Sequence, residues 1–92
     1  MIVRVLGEGQ YDLDEAQAAR LAPLDAELTA TVDGGDEQAF KRALDAAVTL
    51  VRSAGSAVAA DSLAASDVIL PSLDASLAEV RKLLAEDGIA LG

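Results

Sequence analysis

Residues 36–55 have the sequence DEQAFKRALDAAVTLVRSAG, which carries the strongest helical pattern in the chain. Its apolar residues recur three and four positions apart, so they share one face of a helix: Phe40, Ala43, Leu44, Ala47, Val48 and Val51. Asp36 can cap the first free N–H groups of this helix, and Gly55 is typical of a helix end. The other side of the helix is expected to face water through its charged residues: Lys41, Arg42, Asp45 and Arg52.

A second helix is predicted before this stretch. Asp14 and Gln17 have the spacing of a capping box. They precede an apolar stripe with helical spacing: Leu21, Leu24, Leu28 and Val32. Residues 34–35 are both glycine and close this helix. Pro23 lies inside the stripe, lacks an N–H and clashes with the carbonyl four residues back, which predicts a kink or a break into two shorter helices.

A third helix is predicted near the C-terminal end, where Ser76 and Glu79 form another capping box. Its apolar residues are expected to be buried: Leu77, Val80, Leu83 and Leu84. Gly88 is expected to cap the end of the helix. Ile89 and Leu91 then offer apolar contacts just beyond that cap.

The N-terminal segment predicts a β-hairpin. Residues 2–6 are apolar or β-branched except for one arginine, and residues 7–9, Gly-Glu-Gly, mark a turn. Residues 10–13 then alternate polar and apolar side chains, as a short strand does. Residues 68–70, Val-Ile-Leu, form another strand-like run before a proline, and can add to the hairpin because a lone hairpin is only marginally stable.

Residues 55–66 are mostly small and polar, so we expect a surface loop in which Val58 and Leu63 pack onto the core. The whole pattern predicts an α+β fold in which three main helices pack on a small two- or three-stranded sheet with an N-terminal β-hairpin. A length of 92 residues argues for a single domain, residues 1–92.

Composition restricts both the core and the location of the protein. Tyr11 and Phe40 are the only aromatic residues, so the core must be largely aliphatic. The absence of cysteine means that packing alone holds the domain together, and nothing in the sequence points to secretion. No apolar run approaches the roughly 20 residues of a membrane helix. We therefore expect a cytoplasmic protein that does not insert directly into a membrane.

The formal net charge is −9, from 16 acidic and 7 basic residues. This charge weighs against nucleic acid, whose phosphates must be neutralised by Lys and Arg, and against direct docking on anionic lipid. It suits a basic or amphipathic protein partner. The same charge is also explained by solubility alone.

The sequence offers few residues for catalysis or metal binding. Without His or Cys the chain lacks the usual nucleophilic triads and zinc sites, so we predict that it is not an enzyme and has no catalytic, cofactor-binding or metal-binding residues. Residues 33–37, Asp-Gly-Gly-Asp-Glu, do not match the spacing of a calcium loop and are interpreted as two helix caps. Gly7 and Gly9 resemble a phosphate-binding fingerprint, but Asp12 stands in place of its third glycine. We therefore interpret them as turn glycines.

Four residues are candidates for contact with a partner. Tyr11, preceded by Gln10, offers a large surface at low entropic cost, although a core role in the small sheet is favoured over an interface role. Arg81 and Lys82 lie side by side on the third helix of an otherwise acidic molecule and are expected to point outward. The solvated-surface interpretation of these two cations stays open.

Two stretches of the chain resemble a known family. The first is residues 1–12, MIVRVLGEGQYD, and the second includes residues 66–71, SDVILP, residues 74–80, DASLAEV, and residues 86–88, EDG. In these stretches the chain resembles the PspA-associated protein family, PspAA, small proteins encoded beside homologues of phage-shock-protein A in actinobacteria, other bacteria and archaea. The middle of the chain is similar in length and pattern.

The resemblance implies an accessory role in bacterial envelope-stress response, through contact with a PspA-like, ESCRT-III-related coiled-coil protein. It provides no catalytic or cofactor residue to carry over. We therefore expect a non-enzymatic adaptor or regulator, recruited to the inner membrane only through that partner. Two alternatives stay open: a homo-oligomeric structural domain, such as a homodimer, and a sensor of a small ligand or metal ion.

Overall fold

The computed structural model describes residues 1–59 and 65–87, with side chains up to residue 82. In this part of the chain, a mixed four-stranded sheet and three helices make an α+β fold. The elements in chain order are β1 (Ile2–Val5), β2 (Gly9–Asp12), α1 (Glu15–Gly34), α2 (Glu37–Ala54), β3 (Ser56–Ala57), β4 (Val68–Leu70) and α3 (Leu77–Asp87).

The sheet has the order β3-β2-β1-β4. Strands β1 and β2 form the predicted antiparallel hairpin, and β4 joins it as the third strand, parallel to β1. A fourth strand, β3, pairs with β2 inside the stretch that was predicted to be loop, and that part of the prediction is wrong. Two residues are too few to show a periodic pattern, and β3 forms because α2 delivers them to the edge of β2.

The loop prediction also covered two apolar residues. Val58 is half-buried, and its N–H extends the pairing with β2 by donating to the Gln10 carbonyl at 2.9 Å. Leu63 lies outside the described residues.

The core lies between one face of the sheet and the helices. The strand register places Val3 beside both Tyr11 and Val68, and Val5 beside Leu70, on one face of the sheet. Helix α2 covers this face with every residue predicted for its buried side: Phe40, Ala43, Leu44, Ala47, Val48 and Val51. The prediction of a largely aliphatic core is therefore confirmed, with Phe40 as the largest fully buried side chain.

The predicted caps define where the first two helices begin. The Asp14 carboxylate accepts a hydrogen bond from Gln17 N at 2.8 Å, and that of Asp36 accepts from two N–H groups at 3.1 and 3.2 Å. Gly35 is the C-terminal cap of α1 and has a left-handed φ of 75° that glycine adopts without steric cost.

Helix α1 runs unbroken through Pro23, so the predicted alternative of two shorter helices is wrong. The N–H that proline lacks would have bonded the carbonyl of Ala19. Both residues are exposed, so water can hydrogen-bond to that carbonyl instead. Leu21 and Leu28, on either side of the proline, are buried against the core and hold the two halves in one helix.

Helix α3 begins at the predicted pair of Ser76 and Glu79, with Ser76 as the cap. Glu79 N donates to Ser76 Oγ at 3.1 Å, and that hydroxyl donates to the Glu79 carboxylate at 3.2 Å. Leu77 and Val80 are buried as predicted. The predictions for the side chains of residues 83–84 and for Gly88, Ile89 and Leu91 lie outside the described residues.

Two charged residues of α2 hold the start of α3. The Glu37 carboxylate accepts from Leu77 N at 3.0 Å, and Lys41 Nζ donates to the Ala75 carbonyl at 2.7 Å. Lys41 was predicted to face water but is half-buried, because its ammonium reaches a backbone carbonyl 34 residues further along the chain. Arg42 and Asp45 are exposed as predicted.

Candidate interaction surface

The two candidate residues of β2 lie on opposite faces of the sheet. Gln10 is only 8% exposed, and its side-chain amide donates to Ser66 Oγ at 2.9 Å. Tyr11 lies on the core face, where its ring packs against the core cluster while its hydroxyl is 3.4 Å from a Glu8 carboxylate oxygen. Their role as partner contacts stays a prediction, and both side chains also serve the fold.

The turn of the hairpin is tied to α2 by an ion pair. Arg52 Nε donates to Glu8 Oε1 at 2.8 Å, and a second guanidinium nitrogen donates to the other carboxylate oxygen. The hydrogen bonds from Arg52 lower the pKa of the Glu8 carboxyl below its ordinary value. A lowered pKa means that this pair stabilises the fold above the ordinary pKa of Glu and that the contribution is lost as pH falls through the folded value.

The two candidate residues of α3 have different surroundings. Arg81 Nε and Nη2 donate to the Val32 carbonyl at 2.9 and 2.7 Å, and Nη2 also lies 3.3 Å from the Asp33 carbonyl. The guanidinium therefore caps the C-terminal end of α1, where carbonyls lack helical partners and a positive charge is favourable. Arg81 and Lys82 are both exposed as predicted, and Arg81 in addition makes these bonds to the end of α1.

We expect Arg81→Met to lower the free energy of unfolding by about 1 kcal/mol, because the α1 carbonyls lose their charged donor while methionine keeps helix propensity. Urea denaturation followed by circular dichroism measures this loss. Lys82→Met removes the same charge from the neighbouring exposed position and should stay within about 0.5 kcal/mol of the unchanged protein. Equal losses in the two variants contradict a capping role for Arg81.

A groove along α1 was not predicted from the sequence. Its volume is about 500 Å³, and it runs between α1 and the sheet edge formed by Met1 and Val68. One continuous stripe of α1 lines it: Ala18, Leu21, Ala22, Asp25, Ala26 and Thr29. In the sequence these alanines indicate only helix propensity, so nothing in the pattern distinguishes a groove from an ordinary helix surface.

Asp25 is the charged residue in this stripe. Its Oδ1 atom is buried and has no hydrogen-bond partner among the described residues, and the Thr29 hydroxyl donates instead to the Asp25 backbone carbonyl at 3.0 Å. Burial raises the pKa of the Asp25 carboxyl. A raised pKa means that the charged form costs stability above that pKa, and that the cost disappears as pH falls through it.

The described residues offer little for other kinds of site. They contain no group of three or more His, Cys, Asp or Glu side chains placed to hold a metal ion. Within the same residues, no helix is long and apolar enough to cross a membrane. The residues predicted from the sequence, Gln10, Tyr11, Arg81 and Lys82, lie on β2 and α3, away from the stripe of α1 that lines the groove.

These features define a class of protein: a small, acidic α+β protein with an open groove along its first helix. The chain belongs to the PspA-associated protein family, PspAA, whose sequence model matches residues 1–92. The match covers the whole chain and confirms the resemblance seen in its N- and C-terminal stretches. The comparisons with curated proteins and with solved structures gave no match.

Proposed function

We propose that this protein is a non-enzymatic adaptor or regulator that binds a PspA-type, ESCRT-III-like coiled-coil protein in bacterial envelope-stress response. The proposal rests mainly on the family match over residues 1–92, because the family is described by its association with PspA. The net charge of −9 favours a partner with a basic or amphipathic surface. The groove, lined by α1 from residue 18 to residue 29, supports a protein ligand, since a helix of a partner can lie along it.

Calorimetric titration against the PspA-type protein from the same genome tests this function. We expect a dissociation constant in the micromolar range or tighter, and an affinity that falls between low and moderate salt because opposite charges guide the contact. The proposal is contradicted if the titration releases or absorbs no heat and the two proteins do not co-elute in size-exclusion chromatography at either salt concentration. Sedimentation of the protein alone, over a range of concentrations, separates binding of the partner from self-association.

A further inference from the structure

The groove along α1 is long enough to hold an extended ligand. Its lining spans residues 18–29, which corresponds to about 16 Å of helix at the standard rise of 1.5 Å per residue. Leu21 and Val68, 2% and 8% exposed, form an apolar floor. Ala18, Ala22 and Ala26 form the helical wall, and their short side chains allow another backbone to approach closely.

Helix α1 is more acidic than the neighbouring helix α2. Helix α1 carries four acidic residues and one arginine, whereas α2 carries two acidic and three basic residues. Asp25 adds a carboxylate inside the groove itself, with one oxygen buried and without a hydrogen-bond donor in the described residues. A buried carboxylate is costly unless a donor or a cation pairs with it, so the groove complements an occupant that is apolar and carries one positive charge.

We propose that the α1 groove is the docking site for an amphipathic helix of the partner, and that a Lys or Arg on the apolar side of that helix pairs with Asp25. This inference rests on the proposed function and names the surface that performs it. The apolar face of the partner helix packs on Leu21, Val68 and the alanine wall. Its cation supplies the donor for Asp25 Oδ1, and the acidic helix steers the approach.

The deciding experiment compares Asp25→Ala with the unchanged protein in both stability and binding. Alanine has the higher helix propensity and removes the half-buried carboxylate with its unpaired Oδ1, so the melting temperature should rise by about 2–4 °C. Titration with the PspA-type protein should show a dissociation constant weaker by roughly 30-fold or more, because the partner cation is left buried and unpaired. A purely structural role for Asp25 would instead lower the melting temperature.

Glu27→Ala is the matched control. It makes the same change of charge two residues further along α1, but the helix turns about 200° between the two positions, so Glu27 points away from the groove. Glu27 is exposed. Its replacement should weaken binding by about twofold or less, which is the range expected from a distant charge that acts only through steering.

A second pair of variants tests the shape of the groove without changing its charge. Ala22→Gln extends a side chain into the groove and should weaken binding about tenfold or more by blocking the partner helix. Ala30→Gln adds the same side chain at an exposed position of α1 outside the groove lining and should change binding by less than about twofold. Circular dichroism checks that both variants keep their helix content.

The outcomes separate the inference from the function on which it rests. If the unchanged protein binds the partner and Asp25→Ala and Ala22→Gln bind it equally well, the groove is not the docking site, while the proposed function stands. If the unchanged protein does not bind the partner at all, both are overturned. If instead the unchanged protein self-associates and the groove variants do not, the occupant is a second copy of this chain and the proposed partner helix is wrong.

Discussion

Phe40→Ala is expected to remove about 3–5 kcal/mol of the free energy of unfolding, the largest effect of any single substitution considered for this protein. The Phe40 side chain is fully buried, and it is the largest side chain in a core that otherwise consists of Leu, Val and Ala. Truncation loses the transfer free energy of the ring and leaves a cavity that rigid neighbours on the helices and sheet fill only in part.

For a chain of 92 residues, a typical total stability is about 5–14 kcal/mol, so Phe40→Ala should leave the protein marginally folded at room temperature. Urea or thermal denaturation followed by circular dichroism measures the change. Phe40→Leu is the matched control: it keeps an apolar side chain in the same place and should cost roughly half as much. A loss below about 1 kcal/mol for Phe40→Ala contradicts the central position of this ring.

Gly55→Ala is expected to cost about 2–3 kcal/mol, because the space beside Gly55 is occupied. A Cβ atom at this position would lie 2.6 Å from the Val51 carbonyl oxygen, 3.0 Å from Tyr11 Cβ and 3.1 Å from Leu13 Cδ2. The carbonyl cannot move away easily, since it accepts the 2.9 Å hydrogen bond from Gly55 N that ends α2. The added methyl group therefore separates the end of α2 from β2.

The control for Gly55→Ala is Gly34→Ala, which makes the same chemical change at the last residue of α1. A Cβ at Gly34 meets no atom within 4 Å, and the residue has helical backbone angles. This variant should be neutral or more stable by about 0.5–1 kcal/mol, because alanine loses less backbone entropy than glycine in a helix. Chemical denaturation of the two variants side by side tests the steric explanation, which equal effects of the two would contradict.

Local patterns in the sequence predicted most of the secondary structure. The α2 face, the capping residues Asp14, Asp36 and Ser76 and the N-terminal hairpin are all present in the described residues. The helix face and the caps depend on residues within about four positions of one another, and the hairpin pairs residues at most ten positions apart across a turn, so periodicity, capping preference and turn residues are sufficient to find them. The predicted break at Pro23 is absent because the local rule for proline takes no account of tertiary packing, which holds both halves of α1 on the core.

The candidate site was less predictable. The sequence offered Tyr11 and Arg81 because aromatic and basic residues are common at interfaces. In the folded chain Tyr11 packs against the core, and Arg81 caps the end of α1 by bonding to the carbonyl of Val32, which lies 49 positions earlier in the chain. The α1 groove was missed because its alanines and single aspartate resemble any exposed helix until the sheet edge is placed beside them.

The sequence by itself therefore determined the three helices, the N-terminal hairpin and the strand at residues 68–70, which face of α2 is buried, and that the protein is acidic and belongs to PspAA. Only the tertiary structure decided that β3 exists, that Gln10 is buried beside Ser66, and that Asp25 faces a groove. The physical reason is distance along the chain. Caps and periodic faces are properties of neighbouring residues, whereas the pairing of Gln10 with Ser66, 56 residues apart, exists only once the segments between them have packed.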